Sequence, residues 1–463
     1  MTGQREPMDV DDSVPGDAAL PGEPRRNDGA PLPEEPGRIR DLPAAVDVLI
    51  AGGGPAGAAT AARLARAGHR VLLLERSPAW RWRAGGVFAS PAAVAELRAL
   101  GVAADTLRTV ARPIPAMRVE TPAGTAFELT YGAEAGGETA VGFDRSALDP
   151  ALLDLARAAG ADVRTGIALR DVGLADHRQG THVIVDGPIG ASGEAGEPVA
   201  VEARVVVGAD GPRSIVAAAA GMARPPRLGA RVGLSWHVAD EPGETPRQAR
   251  MVVLPGGAYC GLAPVPGGRL NVGIVLAGRA WRERLIRDGA TATGEHVLRS
   301  VPPLPGDPEA WREGTITDAI AGAGPLGCRV AGRAGPDWLL VGDAAGFLDP
   351  FTGEGLHRAL VSARLAADAI DAHLRGAPGG PDGLDPPSGL AAYDRAMRDR
   401  FATKDRLSLL VQAFLARPPL FEHAARRLAR KPGIRGTMGL VMGDLVPASR
   451  AFDPRFLAAL IVP

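Results

Sequence analysis

A glycine-rich turn restricts the fold of this chain more than any other feature. It reads Gly52-Gly53-Gly54-Pro55-Ala56-Gly57, follows an apolar run of strand length at 46–51 and precedes an alanine-rich segment at 58–67. In such a turn Gly52 permits the tight bend, Gly54 lets a pyrophosphate approach the backbone, and Gly57 lets the helix pack closely on the strand. Glu75 ends the next predicted strand, where its carboxylate can accept hydrogen bonds from ribose hydroxyls. The segment therefore predicts a βαβ unit that binds a dinucleotide.

The composition excludes several other classes of protein. With 463 residues, of which 46% are hydrophobic, the chain is long enough for a cofactor domain and a separate substrate domain. A net charge of −1 leaves no basic footprint, so nucleic acid is not an expected partner. Cys260 and Cys328 can form neither a disulfide framework nor a four-thiolate metal site, so we predict no metal and a reducing, cytoplasmic location. The lysines, Lys404 and Lys431, lie late in the chain, which excludes Schiff-base chemistry from the preceding part.

Changes of pattern along the chain predict two interleaved domains. Residues 1–44 are rich in Pro, Gly, Asp and Glu without apolar periodicity, which predicts a disordered tail. Between 231 and 276, short apolar runs broken by Gly and Pro predict an antiparallel sheet. A strand at 338–341 and a helix from Gly355 return to the first domain, and the chain from about Leu390 onward is mostly helical.

These segments predict an α/β fold. A Rossmann-type cofactor domain is interleaved with an antiparallel β-sheet substrate domain and followed by a helical C-terminus. The predicted boundaries are a tail at 1–44, cofactor-domain parts at 45–110, 141–227 and 331–389, substrate-domain parts at 111–140 and 228–330, and a helical region at 390–463.

A second match to the glycine pattern occurs at residues 322–327. The residues that follow, 328–336, are too often interrupted by Gly and Pro to form a helix. Since the motif binds phosphate through a helix N-terminus, we reject this match as a second nucleotide site.

Three sequence blocks together resemble the FAD-dependent monooxygenases and reductases of the para-hydroxybenzoate hydroxylase fold. They are the glycine turn, then Gly208-Ala209-Asp210-Gly211-Pro212-Arg213-Ser214, then Val341-Gly342-Asp343-Ala344-Ala345-Gly346. The resemblance spans about residues 45–375 and implies a Rossmann-type FAD-binding domain. It implies that Asp343 binds the ribityl chain and that Asp210 lies near the flavin. The alternatives are that Asp343 only shapes a turn and that Asp210 only caps the next helix.

Within this class the chain resembles the geranylgeranyl reductase family more than the aromatic hydroxylases. The resemblance lies in Asp349-Pro350-Phe351-Thr352-Gly353-Glu354-Gly355, whereas Gly346 stands where hydroxylases carry a histidine. Arg145 resembles a flavin-contacting arginine, although a surface arginine that caps a helix is the alternative. The implied cofactors are FAD, with NADPH or NADH as electron donor. The implied cofactor-binding residues are Gly52, Gly54, Pro55, Ala56, Gly57, Glu75, Arg76, Arg145, Asp210, Gly211, Gly342, Asp343, Pro350, Gly353, Glu354 and Gly355.

The loop before the helix that begins at Gly355 has a physical role in this scheme. Its free N–H groups and the positive helix end would face the flavin pyrimidine ring and stabilise negative charge on the reduced flavin.

The chain departs from the reductase pattern at three positions. Gly261 and Ala263 replace two aromatic residues of a substrate-facing strand, and Ala84 stands where many members carry cysteine. The departures leave the isoprenoid substrate and the proton donor open. Tyr259 is the candidate catalytic proton donor, with simple packing as the alternative. Flavin halogenases use a lysine after the first nucleotide unit, and none precedes Lys404, so halogenation is not expected.

Three functions follow from these observations. The first is an FAD-dependent reductase that delivers a hydride from NAD(P)H to an unsaturated, largely apolar small molecule. The second is a monooxygenase whose reduced flavin captures O2, the peroxyflavin then hydroxylating or epoxidising a substrate, for example in natural-product biosynthesis. The third is a flavoprotein that only binds. No run of about 18 apolar residues predicts a membrane span, while contact of the helical C-terminus with a membrane and the oligomeric state stay open.

Overall fold

The βαβ unit predicted from the glycine turn opens the structure. The computed structural model describes residues 39–131, 138–174, 181–186, 188–189, 194–195, 198–229, 231–240, 248–304, 316–376 and 389–461. Its strands are β1 (Ala45–Ala51), β2 (Val71–Glu75), β3 (Phe88–Ala89), β4 (Ala111–Ile114), β5 (Ala116–Glu120), β6 (Ala126–Thr130), β7 (Ala140–Phe143), β8 (Asp162–Thr165), β9 (Ala168–Gly173), β10 (Thr181–Asp186), β11 (Pro188–Ile189), β12 (Glu194–Ala195), β13 (Val199–Gly208), β14 (Ala223–Arg224), β15 (Val232–Ala239), β16 (Ala249–Val253), β17 (Tyr259–Val265), β18 (Arg269–Leu276), β19 (Ala321–Ala323), β20 (Arg329–Val330) and β21 (Trp338–Leu340).

Helices occupy the segments between the strands and the whole C-terminal region. They are α1 (Pro55–Arg66), α2 (Pro91–Leu100), α3 (Ala104–Val110), α4 (Arg145–Ala158), α5 (Ile215–Ala219), α6 (Arg279–Ser300), α7 (Gly355–Leu374), α8 (Gly389–Leu415), α9 (Pro418–Arg430), α10 (Pro432–Met442) and α11 (Pro454–Ile461). Short 3-10 turns at Gly342–Ala345 and Pro350–Thr352 precede α7.

The cofactor domain is built on a mostly parallel sheet. Strands β8, β2, β1 and β13 lie side by side and parallel, and β21 pairs in parallel with the end of β13. Strands β10 and β9 extend the sheet in antiparallel fashion. Val48, Leu49 and Ile50 of β1 are fully buried, as a parallel strand covered on both faces should be. The carboxyl ends of β1, β13 and β21 therefore meet at one edge, where α1 and the 342–345 turn begin.

The second sheet has the order β19-β15-β18-β17-β16-β5-β6. Every pair is antiparallel except β16 with β5, which is parallel, so the predicted antiparallel sheet needs this one correction. Because β5 and β6 come from the segment before α4, the two domains are interleaved as predicted. A small sheet of β3, β7 and β4 joins them, and a side chain at Gly142 of β7 would overlap the carbonyl oxygen of Pro264.

Each face of the second sheet is covered by helices. Val297 and Leu298 of α6 pack with Trp236 on one face. On the other face, Phe421 of α9 and Met438 of α10 belong to one apolar cluster with residues of β5, β6 and β16. The later part of the predicted helical C-terminus, α9 to α11, therefore covers the substrate-domain sheet, whereas the first half of α8 packs in the core of the cofactor domain.

The fold class is confirmed, while the domain boundaries stay predictions. Residues 1–38 of the predicted tail lie outside the described residues. The prediction was wrong for the last part of the tail, because Ile39 is 2% exposed and packs in the core, and the Ala44 carbonyl accepts from Glu202 N at 2.9 Å. The rejected second glycine pattern contributes residues to β19 and is followed by the short strand β20 rather than a helix.

Candidate active site

The glycine turn leaves no room for side chains at two of its positions. Gly52 has φ +107°, and a Cβ there would overlap the Ala209 carbonyl oxygen. A Cβ at Gly57 would overlap the carbonyl oxygen of Gly52 itself. These contacts bring the start of α1 and the end of β13 together, which is the packing that the sequence predicts.

Gly54 differs, because a Cβ there would meet no atom within 4 Å. It is the N-cap of α1, with φ −69° and without a side-chain cap, and Pro55 occupies the first helical position. No acidic residue lies in the first turn of α1. The N–H groups of this turn, including that of Ala56, are therefore available to an anion such as a pyrophosphate.

Glu75 is held rigidly at the end of β2. Its Oε2 accepts from Gly53 N at 2.9 Å, and its Oε1 accepts from Ser77 N at 3.0 Å and from Arg83 Nη2 at 2.9 Å. Burial raises the pKa of Glu75, but the N–H donors of Ser77 and Gly53 and the charge of Arg83 outweigh it, so the pKa lies below its ordinary value. The carboxylate is thus ionised beside the turn. The neighbouring Arg76 is exposed, and its predicted contact with the cofactor stays a prediction.

Asp210 follows β13 and caps the next helix. Its Oδ2 accepts from Ile215 N, the first residue of α5, at 2.7 Å, which is the capping alternative considered from the sequence. Its Oδ1 is buried and finds no hydrogen-bond partner among the described residues, and burial raises the pKa of this carboxyl group. An orphaned buried oxygen beside the glycine turn fits a ligand hydroxyl. Gly211, with φ +84°, continues the loop without a close neighbour.

The loop of Asp343 rests on α1. Gly342 has φ +58°, its N–H donates to Ser362 Oγ at 2.9 Å, and a Cβ there would lie 2.8 Å from the Cβ of Ala56. Burial raises the pKa of Asp343, while the charges of Arg145 and Arg358 oppose that rise. The structure therefore brings the third sequence block directly against the first.

Arg145 connects this loop with the segment that precedes β3. Its guanidinium binds Asp149 through two hydrogen bonds of 2.7 and 2.8 Å, and its Nη1 donates to the Gly86 carbonyl at 3.2 Å. Burial lowers the pKa of Arg145, but Asp149 and Asp343 raise it above its ordinary value. A permanent positive charge thus lies within electrostatic reach of Asp343, which suits the predicted contact with a flavin.

The 349–355 loop is anchored to three distant segments through Asp349. The Oδ1 of Asp349 accepts from Tyr259 and Gln412, each at 2.7 Å, and its Oδ2 accepts from Arg231 at 2.6 Å. Pro350 begins the 3-10 turn that Asp349 caps. The anchoring fixes the loop immediately before α7.

Gly353 and Gly355 lie in different surroundings in this loop. A Cβ at Gly353, where φ is +67°, would lie 2.5 Å from Phe88 Cδ1, whereas one at Gly355 would meet nothing within 4 Å. Glu354 points away, since its Oε1 accepts from Arg358 at 3.3 Å and from Ser408 at 3.5 Å. The N-terminus of α7 has no side-chain cap, so its N–H groups are available to a ligand at Gly355.

The hydroxyl of Tyr259 donates a hydrogen bond to Asp349. Its donation to Asp349 is buried, and the ring packs edge-on against Phe351 with 5.1 Å between centroids. Burial and the charge of Asp349 raise the pKa of Tyr259 well above its ordinary value. These contacts describe the packing alternative, so the role of proton donor stays a prediction that the geometry does not favour.

An apolar cavity lies between the second sheet and the C-terminal helices. Its volume is ≈ 100 Å³, measured as the space open to the centre of a water molecule. Phe88, Phe351 and Thr352 line one part of it, and Met251 and Phe414 line another. The hydroxyls in its lining belong to Tyr131 and Thr352, and Thr352 Oγ1 is buried without a hydrogen-bond partner among the described residues. The cavity therefore touches the 349–355 loop directly.

A buried charged cluster escaped the sequence interpretation. Lys404 Nζ donates to Asp444 Oδ1 at 2.8 Å, and His357 Nδ1 lies 3.0 Å from Asp444 Oδ2. Lys404 Nζ also lies 4.0 Å from Glu354 Oε2. The rarity of lysine in the chain was the available signal. The cluster joins α8, the turn after α10 and the start of α7.

The glycine turn, Glu75 and the Asp343 loop on one parallel sheet define an FAD-binding protein. Residues 45–247 match the family model described as FAD binding domain. Menaquinone reductase of Mycolicibacterium smegmatis is 30% identical over 70% of this chain and 76% of the relative. Digeranylgeranylglycerophospholipid reductase of Methanoculleus marisnigri is 30% identical over 69% of this chain and 75% of the relative. This chain belongs to the FAD-dependent oxidoreductases of the geranylgeranyl reductase-like family.

A solved structure has the same fold. The geranylgeranyl bacteriochlorophyll reductase-like protein of Thermoplasma acidophilum superposes with a TM-score of 0.70 at 22% identity, over 90% of this chain and 98% of that one. The match extends across both domains, so the interleaved arrangement is shared.

Proposed function

We propose that this FAD-dependent oxidoreductase reduces an unsaturated, largely apolar small molecule with electrons from NADPH or NADH. The apolar cavity carries the proposal, because Phe351 and Thr352 of its lining belong to the loop that precedes α7. A substrate there would lie against the loop expected to hold the flavin. The two reductase relatives act, by their names, on menaquinone and on a digeranylgeranyl lipid, which supports an apolar substrate.

The proposed FAD site uses the residues predicted from the sequence. The N–H groups at Gly54 and Ala56 would bind the pyrophosphate, and Glu75 would accept from the ribose. Asp343 would accept from the ribityl chain, because its half-buried carboxylate interacts with Arg145 and Arg358 through charge and with no described residue through a hydrogen bond. The α7 N-terminus at Gly355 would face the flavin.

When bound, FAD supplies the hydride transfer, and the protein supplies position and charge. Arg145 holds positive charge near Asp343. The hydrogen bonds of Asp349 hold the 349–355 loop in place. The cavity excludes water from the substrate, since its lining is apolar apart from Tyr131 and Thr352. Thr352 Oγ1 is the free hydroxyl placed to orient a polar group of the substrate.

One observation favours a monooxygenase as the second candidate. Reduction of a carbon–carbon double bond needs a proton as well as a hydride, and Tyr259 already donates to Asp349. A hydroxylation or epoxidation does not need that proton donor in the cavity. The apolar cavity suits either reaction.

Anaerobic and aerobic titration of the purified protein with NADPH and NADH tests these alternatives. Flavin absorbance and oxygen uptake are followed together. The reduced flavin of a reductase should be reoxidised by the substrate without oxygen, and its turnover should consume little oxygen, whereas a monooxygenase should consume one O2 per NAD(P)H when substrate is present. A protein that purifies without flavin would contradict both.

The cellular location stays part of the proposal. None of the helices in the described part of the chain is long and apolar enough to cross a membrane. Cys260 is buried and Cys328 is half-buried, and both are unpaired thiols, which supports a reducing compartment such as the cytoplasm.

A further inference from the structure

A second cavity, whose lining includes several charged side chains, adjoins the loop that carries Asp343. Its volume is ≈ 370 Å³, measured as the space open to the centre of a water molecule. Its lining contains five arginines and one carboxylate: Arg224, Arg227, Arg329, Arg333, Arg358 and Asp405. We call it the arginine cavity.

Two of the arginines are fixed by acidic partners. Arg358 is buried and forms ion pairs with Glu354 and Asp405. Arg333 Nη1 donates to Asp394 at 3.2 Å. Their charges are compensated, and they form a rigid part of the wall.

The other three arginines carry charge that no acid among the described residues compensates. Arg224 donates to two neutral carbonyls, those of Gly221 and Ala223, each at 2.8 Å. Arg227 and Arg329 are exposed, and their side chains form no hydrogen bond or ion pair with any described residue. Like charges gathered around one concavity repel each other unless an anion joins them.

The cavity is distinct from the proposed FAD site but touches it. Gly54, Glu75 and Gly355 are not among its lining residues. Cys328, which is, donates through Sγ to the Asp343 carbonyl at 2.9 Å. Phe347 also lines the cavity. A ligand bound here would therefore lie close to the loop that carries Asp343.

We propose that the arginine cavity binds the phosphate groups of an anionic ligand while FAD is in place. Guanidinium groups bind phosphate oxygens through paired, charge-assisted hydrogen bonds, and free arginines at a concave wall are suited to this. The phosphates could belong to a nicotinamide dinucleotide or to a diphosphate ester of the substrate. The site itself is independent of the proposed function, and only the choice between these two sources rests on it.

The test uses the FAD-loaded protein, in which the pyrophosphate site at Gly54 is already filled. Calorimetric titration with inorganic pyrophosphate at low salt measures binding in the natural sequence, in Arg227→Gln/Arg329→Gln and in the control Arg282→Gln. Arg282 is an exposed arginine of α6 outside the cavity. We expect the double variant to bind pyrophosphate about tenfold or more weakly, since two charged donors are lost. The control should bind normally, and all three proteins should contain equal FAD.

Absence of pyrophosphate binding, or equal binding by the double variant and the natural sequence, would overturn the proposal. Displacement of pyrophosphate by NADPH would assign the site to the electron donor, and the double variant should then raise the KM for NADPH without changing kcat. Displacement by a prenyl diphosphate would assign it to the substrate. Failure of the proposed function would be separate, since it would appear as no flavin reduction in any variant.

Discussion

Gly54 and Gly57 of the glycine turn have different surroundings. The difference indicates that Gly57 is needed for folding and Gly54 for cofactor binding. Gly57 has no space for a side chain because the Gly52 carbonyl oxygen occupies it, whereas the space beside Gly54 is open. Gly54 also has an ordinary φ of −69°. Only the expected cofactor competes for its space.

We therefore expect Gly54→Val to lose FAD while keeping its fold, because the added carbons would stand between the backbone and the pyrophosphate. The ratio of flavin to protein absorbance and the circular dichroism spectrum measure the two properties. Gly57→Ala is the matched control, and it should lower the melting temperature because its Cβ overlaps a backbone oxygen. Normal FAD content in Gly54→Val would place the pyrophosphate elsewhere.

Asp343→Ala should weaken FAD binding by about 1.5–3 kcal/mol, the value of a hydrogen bond to a charged group. The fold should persist, because no described residue depends on this carboxylate for a hydrogen bond. Equilibrium dialysis of FAD, with thermal unfolding of the apoprotein as control, measures both. An unchanged dissociation constant would mean that Asp343 only shapes its turn.

Tyr259→Phe distinguishes anchoring from proton donation. Loss of the hydroxyl removes one donor from Asp349, so the variant should be less stable by about 1.5–3 kcal/mol and keep measurable turnover. Chemical unfolding and steady-state kinetics, including the pH profile, provide the measurements. Near-complete loss of turnover at natural stability, with a changed pH profile, would restore Tyr259 as the proton donor.

The buried charged cluster of Lys404, Asp444 and His357 should contribute to the free energy of unfolding, because it joins the C-terminal helices to α7. Burial raises the pKa of Asp444, but His357 and Lys404 outweigh it and hold the pKa well below its ordinary value. Asp444→Asn removes the nearer of the two acidic partners of the buried Lys404 and should cost about 3–5 kcal/mol. Asparagine tolerates the φ of +58° at this position, so backbone strain does not confuse the result.

The pH dependence of this loss has a defined sign. Because the folded pKa of Asp444 is depressed, its stabilisation is complete above the ordinary value of about 3.9 and is lost as the pH falls further toward the folded pKa. The difference in stability between the natural sequence and Asp444→Asn should therefore be constant at neutral pH and shrink in acid. A difference that grew in acid would contradict the assignment.

At the scale of secondary structure elements, strand β17 packs against residues that line the apolar cavity, and its Tyr259 shares a cluster with the lining residue Met251. A Cβ at Gly261 would lie 3.5 Å from Met251 Cε, and Met251 lines the cavity. We expect Gly261→Trp, and likewise Ala263→Phe, to impair turnover of the substrate far more than FAD binding. Leu262→Phe, on the face toward α6, is the control that overpacks the same strand without narrowing the cavity. Unchanged turnover in both the Gly261 and the Ala263 variants would place the substrate elsewhere.

The elements show where sequence patterns suffice. The strand predicted at 46–51 is observed as β1, because a buried parallel strand shows a short apolar run that ends in turn residues. Helix α6 was not predicted. It has a weak apolar stripe and contains Gly289 in a non-helical conformation, so only tertiary packing of Val297 and Leu298 reveals it.

At the scale of the whole molecule, the candidate site combines segments that are far apart in sequence. The glycine motif was readable because its chemistry is local, whereas the partners of Asp349 come from the residue before β15, from β17 and from α8. No short pattern encodes such convergence. The cavity was equally hidden, because one wall comes from the second sheet and the other from the C-terminal helices.

The cover formed by α9 to α11 has a consequence for how such enzymes diversify. Its buried apolar side chains belong to one cluster with those of the substrate-domain sheet, and among the described residues the glycine turn and Glu75 receive none of their hydrogen bonds from it. Substitutions within this one contiguous segment can therefore change the substrate selectivity without changing the FAD site. Chimeras that exchange this cover between relatives should inherit the substrate range of the donor and the flavin of the recipient.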